Sequence, residues 1–170
     1  MDSLRKYRDC LGCFPTGVAI ATTISADNAL HGLTINSFSS VSLEPPLILF
    51  SLDRQASSFD AFHHSSHFAI NILTETQAAL SQQFSLSHMG KWADVSYKAG
   101  HYSGCPLIED VMAVLECRKK HLYDGGDHLI FIGEVLHFEI VSPHANPLLY
   151  YRGNYRELGN SLHTSPKGTF

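Results

Sequence analysis

Two pairs of strand-like segments, each closed by a short turn, constrain this chain more than any other feature of it. Val18 to Ile24 is apolar and β-branched, Ser25-Ala26-Asp27-Asn28 is turn chemistry, and Gly32 to Phe38 returns as the second arm. Val114 to Tyr123 and His128 to Val141 flank Asp124-Gly125-Gly126-Asp127, a hairpin turn. Leu47 to Leu52 and Phe68 to Leu73 are compact apolar runs that read as buried strands. Connections this short join antiparallel neighbours, because a parallel pair needs a crossover of about a dozen residues or more. The expected fold is mainly β, a Greek-key-like antiparallel barrel with a few short helices.

The helices expected are few. Leu4, Tyr7 and Leu11 recur at helical spacing, so residues 2–11 read as an amphipathic helix that Pro15 keeps from continuing. Ser57 to Phe62 reads as a short helix opened by serine. Thr74-Glu75-Thr76-Gln77 has the form of a capping box, with Leu80 and Phe84 four apart behind it, which predicts a helix over 75–84. Residues 85–104, punctuated by glycine and histidine, read as one long loop. The reading is one domain over 1–158 and a polar tail over 159–170.

Of the 170 residues, 44% are apolar, enough for one core without staples. A formal charge of −4 argues against nucleic acid or an anionic membrane as partner. No apolar run approaches a transmembrane length, and Met1 to Lys6 lacks a secretory signature, so the expected compartment is the cytosol. Cys10, Cys13, Cys105 and Cys117 read as reduced thiols. Cys10-Leu11-Gly12-Cys13 spells a CxxC, but it follows a helix instead of opening one, and no second half-site for zinc is clear; it reads as incidental.

The usual nucleotide and nucleophile signatures are missing. No GxGxxG follows a strand, Val18 and Ala19 stand where a P-loop needs lysine and a hydroxyl residue, and there is no GxSxG. What the chain has is the run from Gly32 to Pro46. Four serines, Thr34 and Asn36 alternate there with apolar residues, up to a double proline. A strand of this kind offers neutral hydrogen-bonding groups on one face and sends the other into a core. It suits a ligand that is flat and apolar at one end and rich in hydroxyls and phosphate at the other, as a flavin nucleotide is.

Several stretches in this order resemble one family. They are Phe14-Pro15-Thr16-Gly17-Val18, Gly32 to Phe38, Ser40 to Pro46, Phe68 to Leu73, Gly126-Asp127-His128 through Gly133-Glu134-Val135, and Pro147 to Gly153. Together they are similar to the flavin reductases, the small NAD(P)H:flavin oxidoreductases of two-component monooxygenases, which have a split-barrel, FMN-binding fold. The resemblance runs from about residue 10 to 158 and implies FMN or FAD as cofactor, NADH or NADPH as co-substrate, a homodimer, and a flavin-dependent monooxygenase that receives reduced flavin.

It also implies roles. Thr34, Ile35, Asn36 and Ser37 would line the flavin ring and ribityl chain, with Pro15 and Thr16 at the pocket mouth. Ser51, Leu52, Ala56, Ser57 and Ser58 would hold the ribityl and phosphate groups, and Phe84 and Lys91 would close over the phosphate. His128 and the segment Tyr151, Arg152, Gly153 and Tyr155 would face the nicotinamide, His128 positioning it.

The residue chemistry is compatible with these roles and with plainer ones. Serines at a helix start can meet a phosphate or simply cap. Asn36 can match the amide-like flavin edge or sit on a wet strand face. His128 can donate to a carboxamide or be structural. Tyr151, Arg152 and Tyr155 can stack on rings and meet a pyrophosphate, or pack on the barrel. His63 and His67 have helical spacing but read as a solvated helix end, so no metal site is expected.

The chemistry implied is hydride transfer between two bound cofactors, which needs no catalytic dyad. Two other readings remain: a flavin-binding electron carrier, and a ferric or cob(II)alamin reductase with flavin as relay.

Overall fold

The structure, a computed structural model, describes residues 3–87 and 90–160. The first elements in chain order are α1 (Ser3–Leu11), β1 (Thr16–Gly17), β2 (Ala19–Ile24), β3 (Leu30–Ile35), β4 (Ser39–Leu43) and β5 (Pro46–Asp53). Next come α2 (Phe59–His64), β6 (His67–Ile72), a 3-10 turn (Glu75–Gln77) and α3 (Ala78–Ser85). The chain continues through β7 (Tyr97–Ala99), β8 (Pro106–Ile108), β9 (Ala113–Gly125), β10 (His128–Ile140), β11 (Leu149–Tyr151) and β12 (Asn154–Arg156).

Seven strands form one antiparallel sheet in the order β3-β2-β6-β9-β10-β5-β4. Both predicted hairpins are in it, β2–β3 and the long β9–β10 pair. The run from Gly32 to Pro46 is not one strand. It breaks after Ile35 and resumes at Ser39, and its two halves lie at opposite edges of the sheet. The sheet curls until those edges approach, yet β3 and β4 share no ladder, so the barrel stays open at a seam. Ser37 crosses that seam. Its hydroxyl donates to the Ser51 carbonyl and accepts from the Ser51 amide, both at 3.0 Å.

The curl buries both faces of its central strands. Ala19, Ala21, Phe68 and Ile70 point into a core with Phe50, Phe62 and Phe131. There Phe50 and Phe131 stack at 5.0 Å, with Phe68 edge-on at 5.1 Å. Val18, Ile20, Ala69 and Val114 alternate to the other side, under Phe84, Leu107, Val111 and Leu148. This is why β2 and β6 read as unbroken apolar runs and not as alternating ones. Gly133 on β10 lies directly under the Phe68 ring, where a Cβ would collide with it.

The predicted 75–84 helix is two pieces, the 3-10 turn and then α3, although the box itself is present, with the Thr74 amide donating to Gln77 Oε1 at 3.0 Å. The expected 85–104 loop contains β7, paired with β8. Glu116 organises the end of that segment. Its buried Oε2 accepts from the amides of Tyr102 and Ser103 at 3.0 and 2.7 Å and from the Ser103 hydroxyl at 2.8 Å. His63 lies in α2 and His67 opens β6, so their spacing is not helical after all. Most of the expected polar tail, residues 161–170, lies outside the described residues.

The chain's end returns to its beginning. Leu148 donates to the Leu73 carbonyl at 3.0 Å, and its own carbonyl accepts from Val18 at 3.1 Å. Register pairs Thr16 with Tyr150 and Gly17 with Leu149. The β11–β12 hairpin turns through Arg152 and Gly153, both at positive φ (49° and 77°), the mirror-image turn that suits a two-residue hairpin. This small sheet is thereby fixed beside the seam.

Candidate active site

Where the sheet fails to close, a cavity of about 300 Å³ opens. The end of β3 supplies Leu33, Thr34, Ile35 and Asn36, and the turn into α2 supplies Ala56, Ser57 and Ser58. The C-terminal end of α3 and the segment after it add Phe84, Ser85, Ser87 and Lys91; Tyr150, Tyr155 and Val18 complete the wall. Nine of the residues singled out from sequence meet here.

Two further hollows continue the cavity into a trough. One, of about 690 Å³, shares Asn36 and Tyr150 with it and runs along the end of α1 past Cys13, Thr16, Arg152 and Gly153. The other, of about 410 Å³, shares Ser57, Ser58, Ser87 and Lys91 and reaches His31 and Trp92.

Local hydrogen bonds set the wall. Thr34 donates its hydroxyl to the Ser81 carbonyl at 2.6 Å, and Ser81 Oγ meets Tyr155 Oη at 2.7 Å, which locks α3 between β3 and β12. Gly32 lies against the edge of Phe84, where a Cβ would fall 2.6 Å from the ring. Its carbonyl accepts from Lys91 Nζ at 3.4 Å and from the Ser58 hydroxyl at 3.5 Å. Ser58 is buried and makes no side-chain cap to α2, contrary to the plainer reading of it. Among the described residues no hydrogen bond engages the Ser57 hydroxyl.

Lys91 carries the site's electrostatics. Its ammonium donates to the Phe84 carbonyl at 3.1 Å, and among the described residues no carboxylate pairs with it. Burial pulls its pKa below the ordinary lysine value, because desolvation is not offset by an opposite charge. A half-buried cation facing dipoles alone, next to two serines, is built to receive an anion.

At the other end, Thr16 Oγ1 is buried with no hydrogen-bond partner among the described residues. A buried hydroxyl left unpaired costs about 1–3 kcal/mol, so its position beside Asn36 and Tyr150 points to a partner from outside the chain. A serine-and-lysine end joined to a wall of Leu33, Ile35, Val18 and two tyrosines, with neutral polar groups between, fits a phosphorylated flavin.

Some residues singled out from sequence lie elsewhere. Pro15, Ser37, Ser51, Leu52, His128 and Tyr151 line none of the three hollows. Ser37 spends its hydroxyl on the Ser51 backbone at the seam, and Leu52 is core. His128 opens β10 and pairs with Asp127 at 2.7 Å, which holds the Asp127 carboxyl below its usual range.

Tyr150, not Tyr151, faces the cavity. A two-residue turn at Arg152-Gly153 puts Tyr150 opposite Tyr155, hence on one face, and Tyr151 on the other, where Arg152 lies 5.3 Å over its ring. That register was available from sequence. Ser85, Ser87 and the end of α1 gave no local signal.

The open-seamed antiparallel sheet and its trough define a split-barrel protein with a nucleotide-sized site. The chain belongs to the family described as the flavin reductase like domain, whose model matches residues 11–159. It is 40% identical over 151 residues to a probable flavin reductase of Rhizobium meliloti, covering 89% of this chain and 48% of that protein. It is also 40% identical over 155 residues to the reductase component of the flavin-dependent trigonelline monooxygenase of Acinetobacter baylyi, covering 91% and 49%. The chain thus spans about half the length of these relatives. The NADH:FAD oxidoreductase of Streptomyces globisporus, solved in complex with NAD and FAD fragments, superposes with a TM-score of 0.89 at 33% identity, covering 95% and 96% of the two chains.

Proposed function

We propose that this chain is a flavin reductase that takes hydride from NADH or NADPH to FMN or FAD and supplies reduced flavin to a monooxygenase. The observation that carries the reading is the trough itself. An apolar wall, neutral polar groups and an anion-receiving end lie in line across the seam, and one similar structure, solved with NAD and FAD fragments, is an NADH:FAD oxidoreductase that this chain covers to 96% of its length.

The flavin, when bound, supplies the hydride-accepting ring. The chain's part is to bind, orient and exclude water. Lys91, Ser57 and Ser58 would hold the phosphate. Asn36 and Thr16 would offer hydrogen bonds at the polar rim, and Val18, Leu33, Ile35, Tyr150 and Tyr155 an apolar face. The groove past Arg152 and Gly153 would receive the nicotinamide nucleotide, whose phosphates suit the guanidinium. Thr34 acts indirectly, holding α3 in place through Ser81. His128 belongs to this account only if a second subunit or a bound nucleotide brings it to the site.

A homodimer is part of the proposal. Phe138 and Ile140 on β10 are 71% and 68% exposed, and Leu43 on edge strand β4 is 78% exposed, apolar side chains that a second subunit would cover. The partner monooxygenase is inferred from relatives such as the trigonelline enzyme's reductase component. The cytosol is proposed from the unpaired thiols. Among the described residues, no helix is long and apolar enough to cross a membrane.

The test is steady-state oxidation of NADH and of NADPH by purified protein, each with FMN and with FAD. Turnover that needs added flavin and no other substrate supports the reading. No flavin-dependent turnover with either nucleotide refutes it.

A further inference from the structure

The CxxC at the end of α1 has no part in hydride transfer, and its surroundings set it apart from the other two thiols. Cys105 and Cys117 are buried; Cys10 and Cys13 are exposed. The Cys13 amide donates to the Cys10 carbonyl at 3.1 Å, which closes a tight turn. Such a turn brings its end Cα atoms within about 7 Å, and disulfides span Cα separations of roughly 4.4–6.8 Å.

The second observation comes from the opposite end of the chain. Arg152 Nη2 donates to Cys13 Sγ at 3.6 Å, and the Arg152 amide is tied to the Gly12 carbonyl at 3.0 Å. The turn residues that place this guanidinium, Arg152 and Gly153, are those with positive φ. A cation held against an exposed sulfur with a second thiol one turn away is the setting of reactive cysteines and their resolving partners. Cys13 also lines the groove that shares Asn36 and Tyr150 with the cavity.

We propose that Cys13 and Cys10 are a peroxide-oxidisable pair that closes into a reversible disulfide at the mouth of this groove. The Cys13 sulfur attacks one oxygen of hydrogen peroxide. An S–O bond forms, the O–O bond breaks, and hydroxide leaves to take up a proton as water. The Cys10 sulfur then attacks Cys13 sulfur, the S–S bond forms, and the S–O bond breaks to release a second water. Two thiols lose two electrons and two protons, and one peroxide becomes two waters. The bond draws the sulfur that Arg152 now contacts toward Cys10, turns it from a thiol into a disulfide sulfur, and so alters the groove wall. The thiol chemistry stands by itself; its effect on nucleotide use rests on the function proposed above.

The experiment treats the full chain with stoichiometric hydrogen peroxide, blocks remaining thiols with iodoacetamide, and maps the peptides by mass. The expected product is one peptide with Cys10 and Cys13 unlabelled and two hydrogens lighter, restored by dithiothreitol. In Cys10→Ser, Cys13 accumulates as a sulfenic acid trapped by dimedone; in Cys13→Ser, Cys10 stays alkylatable at the same dose. Arg152→Gln slows oxidation several-fold. Alkylation of both cysteines after peroxide overturns the proposal, as does equal oxidation of Cys10 in Cys13→Ser.

In the oxidised wild type the KM for reduced nicotinamide rises several-fold, while flavin affinity holds within twofold. An unchanged KM with the disulfide formed overturns the link to the groove. Absence of turnover in the reduced protein is instead a failure of the functional reading, and the mass measurement still decides the thiol chemistry.

Discussion

Replacing Lys91 by methionine isolates the phosphate end of the site. Methionine keeps most of the side chain's length and apolar contact and removes the charge together with the ammonium's bonds to the Phe84 and Gly32 carbonyls. The Lys91 ammonium sits 3.1 Å from the Phe84 carbonyl and 3.4 Å from that of Gly32, with no carboxylate beside it among the described residues. A unit anion about 4 Å away gains about 4 kcal/mol at an effective dielectric of 20. Partial exposure and salt reduce this to about 1–2 kcal/mol. The dissociation constant of FMN should therefore rise about 5–30-fold.

Riboflavin is the decisive control, since it has the same ring and ribityl chain and no phosphate. Fluorescence titration of both ligands at two ionic strengths reads the difference. Lys91→Met should weaken FMN and reduce its salt dependence, and leave riboflavin within about twofold. Equal weakening of the two ligands, or of neither, refutes the assignment of Lys91 to the phosphate.

Three further outcomes follow from single observations. Thr16→Val removes a buried hydroxyl that no group among the described residues satisfies, so thermal unfolding of the ligand-free protein should hold or rise while flavin or nucleotide affinity falls; a fall in both would mean that the hydroxyl has an internal role. Glu116→Gln removes the charge from an oxygen that accepts three bonds, at a cost of about 2–4 kcal/mol, read as a melting point lower by roughly 5–15 °C with flavin affinity preserved. Burial pushes the Cys117 thiol up from its ordinary 9.0 to about 12, so the folded state keeps a proton that the unfolded chain loses between those values. Its contribution is present below pH 9 and lost as pH rises toward 12, by about 4 kcal/mol at most, measured as denaturant midpoints over that range with Cys117→Ala as control.

The sequence carried the architecture because hairpin turns are local. Asp124 to Asp127 and Ser25 to Asn28 fix antiparallel neighbours without help from the rest of the chain. The break of the serine-rich run was not legible, since nothing in residues 36–38 says that the chain leaves one sheet edge for the other. That is a decision of the whole curled sheet, sealed by Ser37 on Ser51. The phosphate end was legible as a helix start and a lysine, but Ser58 turned out to bond across to Gly32 and not to its own helix.

The tyrosines show the same divide. Hairpin register alone separates Tyr150 from Tyr151, yet which face meets the cavity depends on β1, a strand of two residues paired across the whole chain. The contact between Cys13 and Arg152 depends on the same long-range pairing, which is why the CxxC read as incidental until the C-terminal hairpin was placed against it.

The central claim is that the open seam is where a flavin binds. A crystal structure of the protein with FMN tests it most directly. The account predicts phosphate density at Ser57, Ser58 and Lys91 and the ring against Ile35, Asn36 and Tyr150. An FMN bound away from the seam, or a seam filled by the chain's own side chains in that crystal, would contradict it.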